Sequence, residues 1–86
     1  MARYRIEVSA TAEKQLRKLG QADRVRVLRA VKELALEPRP TGCRKLQGYD
    51  DVFRIRVGTF RVLYSIDGRR IIVTVLKVAN RKDVYR

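Results

Sequence analysis

Three arginines, Arg54, Arg56 and Arg61, are the residues of this chain best suited to chemistry on a phosphate. A guanidinium is planar, permanently charged and presents paired N–H donors that match two phosphate oxygens. What the chain lacks points the same way. It has no histidine and a single cysteine, Cys43. The commonest general acid–base and the usual transition-metal ligands are therefore missing, and neither a metal site nor a cofactor is expected. No glycine-rich phosphate loop and no Gly-x-Ser-x-Gly elbow occurs. Catalysis would have to run on arginine, lysine, tyrosine or carboxylate, and the densest carboxylate pair is Asp50-Asp51. Lysine and arginine total 21 against 9 acidic residues, a net charge of +12. Such an imbalance repels itself and suits a polyanionic partner: RNA, DNA or an acidic protein.

The elements that must position these arginines follow from periodicity. Residues 3–8 alternate, with Tyr4, Ile6 and Val8 on one face, as in a half-buried strand. Ser9 then offers an N-cap to a helix carrying Ala12, Leu16 and Leu19, with Gly20 as its stop. A second helix is predicted from about Asp23 to Glu37, with Val27, Leu28, Val31, Leu34 and Ala35 inward and Pro38 and Pro40 ending it. The rest reads as a β-meander: 52–57, a two-residue type II′ turn at Gly58-Thr59, 60–66, a hairpin signal at Asp67-Gly68, then 71–78. A short strand near 44–46 joins them. The order β-α-α-β-β-β(-β) predicts an α+β fold, an antiparallel sheet of about four strands with an N-terminal helical hairpin packed on one face.

Closing the Gly58-Thr59 turn sets a register in which Val57 meets Phe60, Arg56 meets Arg61, Ile55 meets Val62 and Phe53 meets Tyr64. Phe53, Ile55, Val57, Phe60, Val62, Tyr64 and Ile66 then form one apolar face for the helices, which Ile71, Val73 and Val75 extend. Arg54, Arg56 and Arg61 collect on the other, beside Leu63, Ser65, Thr74 and Leu76. Like charges directly across a ladder cost a few tenths to about 1 kcal/mol each. That arrangement makes sense if an anion sits on the face. A bulge in this hairpin would turn Arg61 away from its partners.

No linker, repeat or low-complexity segment interrupts the chain, and residues 1–86 are expected to form one domain. The longest apolar stretch, residues 71–76, is too short to cross a bilayer, so no membrane partner is expected. The N-terminus has no signal-peptide core, and the lone cysteine fits a reducing cytoplasm. Arg81 and Tyr85 belong to a polar C-terminal segment that could fold back over the basic face, though periodicity by itself gives Tyr85 no role. On the second helix Val25, Val27 and Leu36 exceed what one face needs; the surplus is either ordinary core or a partner groove.

Taken together, Arg44-Lys45-Leu46-Gln47-Gly48, Phe53-Arg54-Ile55-Arg56, Phe60-Arg61-Val62-Leu63-Tyr64 and the terminal run from Val78 to Tyr85 resemble the RelE/ParE toxin superfamily, and the RelE-type mRNA interferases in particular. The resemblance spans nearly the whole chain. It implies the toxin of a type II toxin–antitoxin system, an endoribonuclease that cleaves messenger RNA in the ribosomal A site without metal. It implies a catalytic set of Arg54, Arg56, Arg61, Arg81 and Tyr85, with Arg44, Lys45 and Lys82 contacting RNA. The implied partners are a cognate antitoxin and mRNA on the ribosome, with its rRNA. Well-studied RelE members carry lysines at the positions of Arg54 and Arg56. Arginine surrenders a proton far less readily, so Arg54 and Arg56 are expected to act by charge. Two other readings stand beside this one: a ParE-like inhibitor of DNA gyrase with the same fold, and a non-catalytic RNA- or DNA-binding domain.

Overall fold

The computed structural model describes residues 3–80. Its elements run β1 (Arg5–Val8), α1 (Ala10–Arg17), α2 (Gln21–Glu33), β2 (Arg44–Lys45), β3 (Val52–Val57), β4 (Phe60–Asp67) and β5 (Ile72–Asn80). This is the expected α+β order. The five strands lie in the order β1-β5-β4-β3-β2. All neighbours pair antiparallel except β1 and β5, which run parallel with Ile6 opposite Val73. The sheet is therefore mixed where an antiparallel one was expected. The reason is topological: the first strand leaves through the helical hairpin and the chain returns to its side only in the last strand, and alternation within β1 carries no information about its neighbour's direction.

Ser9 begins α1 as expected, its hydroxyl accepting from the Ala12 amide at 3.1 Å. Gly20 does not stop that helix. α1 ends at Arg17, and Gly20, in extended backbone, is the residue that starts α2. α2 in turn stops at Glu33 rather than near Glu37. The amides of Leu34, Ala35 and Leu36 turn to carbonyls three residues back, a tightened last turn ahead of Pro38. Of the residues expected inward on α2, Val27, Val31 and Leu34 are buried, whereas Leu28 is exposed along with Val25 and Leu36.

The β3–β4 hairpin has the expected register from Val57 opposite Phe60 back to Phe53 opposite Tyr64. Gly58 sits at φ +61, and Ile71 is the one non-glycine residue with positive φ among those described. Thr59 thus keeps a negative φ, which fits a type II′ turn. The Asp67-Gly68 hairpin is present but is not a two-residue turn. Asp67 pairs with Ile72 across a four-residue loop, and its carboxylate accepts from the amides of Arg69 and Arg70. The aspartate side chain closes the loop, and Ile71 takes the left-handed position and is exposed, not part of the apolar face.

The core lies between the helices and one sheet face, with Ala12, Leu16, Val27, Val31 and Leu34 against Ile55, Val57, Val62, Tyr64, Val73, Val75 and Val78. Tyr64 is its largest fully buried side chain. Its ring stacks on Phe53 with centroids 6.1 Å apart, and its hydroxyl donates to the Pro38 carbonyl at 2.7 Å. Burial, then the neighbouring Cys43, pushes the phenol's pKa well up. Because the unfolded chain ionises first, near pH 10, the stability owed to a protonated Tyr64 is complete below about that pH and is lost as pH rises above it. Urea unfolding between about pH 8 and 11 should show stability falling above pH 10, and Tyr64→Phe should fall less steeply.

Candidate functional site

The face of the sheet opposite the helices carries the arginines in two rows. Direct cross-strand partners point to the same side, with Cβ atoms about 4.5–5.5 Å apart. In the first row Arg44 of β2 lies across from Arg54 of β3, and Arg54 across from Leu63 of β4. In the second row Arg56 lies across from Arg61, and Arg61 across from Ala79 of β5. Four arginines from three strands thus stand on the same face of the sheet. Their exposure is graded: Arg44 and Arg56 are exposed, Arg54 is half-buried, and Arg61 is only 4% exposed. A nearly buried guanidinium at the centre of a basic surface gives the face a fixed charge with exposed charges around it.

The local reasons are in the strands themselves. β3 reads Val-Phe-Arg-Ile-Arg-Val, so its period of two sends Phe53, Ile55 and Val57 into the core and the arginines outward. The Gly58 turn holds Arg61 opposite Arg56. A bulge does occur, but on the other side of β4. Between Leu63 and Tyr64 the β4–β5 register shifts, because β5 inserts Leu76 as an extra residue. The arginine pair is left intact.

Lys45 does not join these arginines. It lies across from Phe53, whose ring is buried in the core, so it belongs to the helix side of the sheet. Arg81, Lys82 and Tyr85 lie outside the described residues. Sequence reading missed Lys77: the inserted residue moves it opposite Leu63, on the arginine side. The signal was present in the spacing of buried β5 residues, Val73, Val75 and then Val78, a step of three where an unbroken strand steps by two.

Beside the sheet edge, a groove of about 500 Å³ runs between the end of α2 and β3, lined by Leu34, Ile55, Glu33, Glu37, Arg44 and Arg56. Among the described residues no cluster of His, Cys, Asp or Glu could hold a metal ion, and no helix is long and apolar enough to cross a membrane.

Comparison with known proteins gives a consistent result. The family model described as the ParE toxin of type II toxin–antitoxin systems matches residues 6–85. Toxin RelG of Mycobacterium tuberculosis is 35% identical over 88 residues, covering 96% of this chain and 97% of that protein. Among solved structures, the archaeal RelE–RelB complex from Pyrococcus horikoshii aligns with a TM-score of 0.82 at 30% identity, over 94% of this chain and 98% of that one. The intact E. coli RelBE toxin–antitoxin complex aligns with a TM-score of 0.80 at 26% identity, over 90% and 95%. Sequence and fold agree over nearly the whole chain, and it belongs to the RelE/ParE superfamily of toxins from type II toxin–antitoxin systems.

Proposed function

We propose that residues 1–86 act as one toxin domain, a metal-independent endoribonuclease that cleaves mRNA in the ribosomal A site. The observation that carries this reading is Arg56 facing Arg61, with Arg54 and Arg44 on the same side of the sheet. Like charges gathered this way are tolerable when a phosphate lies among them. RNA brings its own nucleophile: the 2′-oxygen attacks the adjacent phosphorus and the 5′-oxygen leaves. The protein must hold these groups in line, neutralise charge on the phosphate and handle two protons. Arg54, Arg56 and Arg61 supply charge, and the family resemblance assigns Arg81 the same task. Tyr85 acts as the base for the 2′-hydroxyl proton, and the departing 5′-oxygen takes its proton from solvent water. The ribosome supplies alignment, and proximity of this kind is worth about 7–11 kcal/mol.

Tyr85→Phe and Arg81→Ala are expected to abolish growth arrest with the fold unchanged. Both variants arresting growth as strongly as wild type would defeat this assignment. Sequencing mRNA ends in a translating extract, with and without the protein, tests the activity itself: cuts within codons on the ribosome are expected. The ParE name of the matching family model favours a second reading, inhibition of DNA gyrase. Intact mRNA together with blocked supercoiling would select it.

A cognate antitoxin is the proposed protein partner, supported by the RelE–RelB complexes among the structural relatives. Val25 and Leu28 are exposed on α2 beside Arg29 and Lys32. That combination suits an amphipathic segment of acidic character.

A further inference from the structure

We propose that Lys77 is an additional RNA-phosphate contact, delivered to the arginine face by the β5 bulge at Leu76, which Ser9 and Gln15 hold in place. The proposal rests on the RNA reading of that face. In an unbroken ladder Leu76 would stand opposite Leu63, and Lys77 opposite Val62. Val62 is fully buried beneath the helices, where an ammonium would be strongly disfavoured. With Leu76 inserted, Lys77 stands opposite Leu63 instead, and Val78 takes the core position opposite Val62. Val78 is buried and Lys77 half-buried, as this register requires. Lys77 then ends the row begun by Arg44 and Arg54, and it is the diagonal neighbour of Arg61. Two strand spacings separate it from Arg54, about 10 Å. It therefore extends the basic face from Arg61 toward β5, where the next phosphate along the RNA would lie.

Three contacts from the helical side hold the bulge. The Ser9 amide donates to the Val75 carbonyl at 2.9 Å, and the Ser9 hydroxyl donates to the Leu76 carbonyl at 3.0 Å. The Val78 amide donates to the Gln15 side-chain oxygen at 2.6 Å. An extra residue disturbs the ladder, and Ser9, the cap of α1, and Gln15 within it bond to β5 on either side of the inserted residue. Gln15 is thus a positioning residue: it touches no RNA and acts through the strand that carries Lys77.

The test is binding of a short single-stranded oligoribonucleotide with 2′-O-methyl sugars, which cannot be cleaved, measured across a salt series. Lys77→Gln should weaken binding about three- to tenfold and lower the log–log salt slope by about 0.7, the loss of one phosphate contact. Lys77→Arg should restore both. Gln15→Ala should weaken binding similarly, yet add nothing in the Lys77→Gln background, because the two act as a unit. Thermal melting separates this from lost stability. Wild-type affinity and slope in Lys77→Gln, while Arg54→Ala weakens binding, would overturn the role of Lys77 alone. If neither variant alters binding, the RNA reading of the whole face falls with it.

Discussion

If the arginine face cleaves mRNA as proposed, Arg61→Ala should slow cleavage by about 10²–10³-fold, the usual cost of removing one fixed donor from a developing negative charge. Arg61 is singled out among the sheet arginines by its burial: at 4% exposure it is held in place, whereas Arg56 opposite it is exposed. A charge already fixed where the phosphate arrives needs no reorganisation during the reaction, so its loss should appear in the chemical step. Arg61→Lys keeps the charge but loses the fork, and should recover only part of the rate. Single-turnover cleavage on programmed ribosomes checks this, with a melting curve for each variant because the aliphatic stem also packs. A folded Arg61→Ala protein cutting at the wild-type rate would remove this residue from the mechanism.

The largest loss of stability is expected for Tyr64→Ala, at about 3–5 kcal/mol for the vacated ring space. The Pro38 carbonyl, which now accepts from the hydroxyl at 2.7 Å, would also lose its partner at a further cost of about 1–3 kcal/mol. Domains of this size have only about 5–15 kcal/mol in total, so the variant should sit at the edge of unfolding. Tyr64 projects into the core, opposite the arginine surface, so Tyr64→Phe should cut RNA normally once folded. Urea midpoints at unchanged slope measure the stability change. A midpoint for Tyr64→Ala within about 1 kcal/mol of wild type would show that the ring is not the keystone of this core.

The main lines of the fold were legible because they rest on local rules. Strict alternation in β3 and β4, together with a glycine able to take positive φ at position 58, set the register that puts Arg56 opposite Arg61. The errors came where local signals were ambiguous or competed. Gly20 can end one helix or begin the next, and Leu28 lies at an apolar helical spacing that the sheet does not reach. Asp67 closed its loop through its side chain, a choice that the Asp-Gly pair does not disclose.

By itself the sequence determined the helix and strand content, the apolar and basic faces of the central hairpin, and the absence of histidine. All of these depend on residue type and on periods of two or 3.6. Only the tertiary structure decided that β1 lies parallel to β5, that Arg44 and not Lys45 joins the arginines, and that Lys77 changes sides. Each of those depends on contacts between segments distant along the chain. The clearest case is a bulge in β5 satisfied by Ser9 and Gln15, more than sixty residues away, a partnership that no window of neighbouring residues contains.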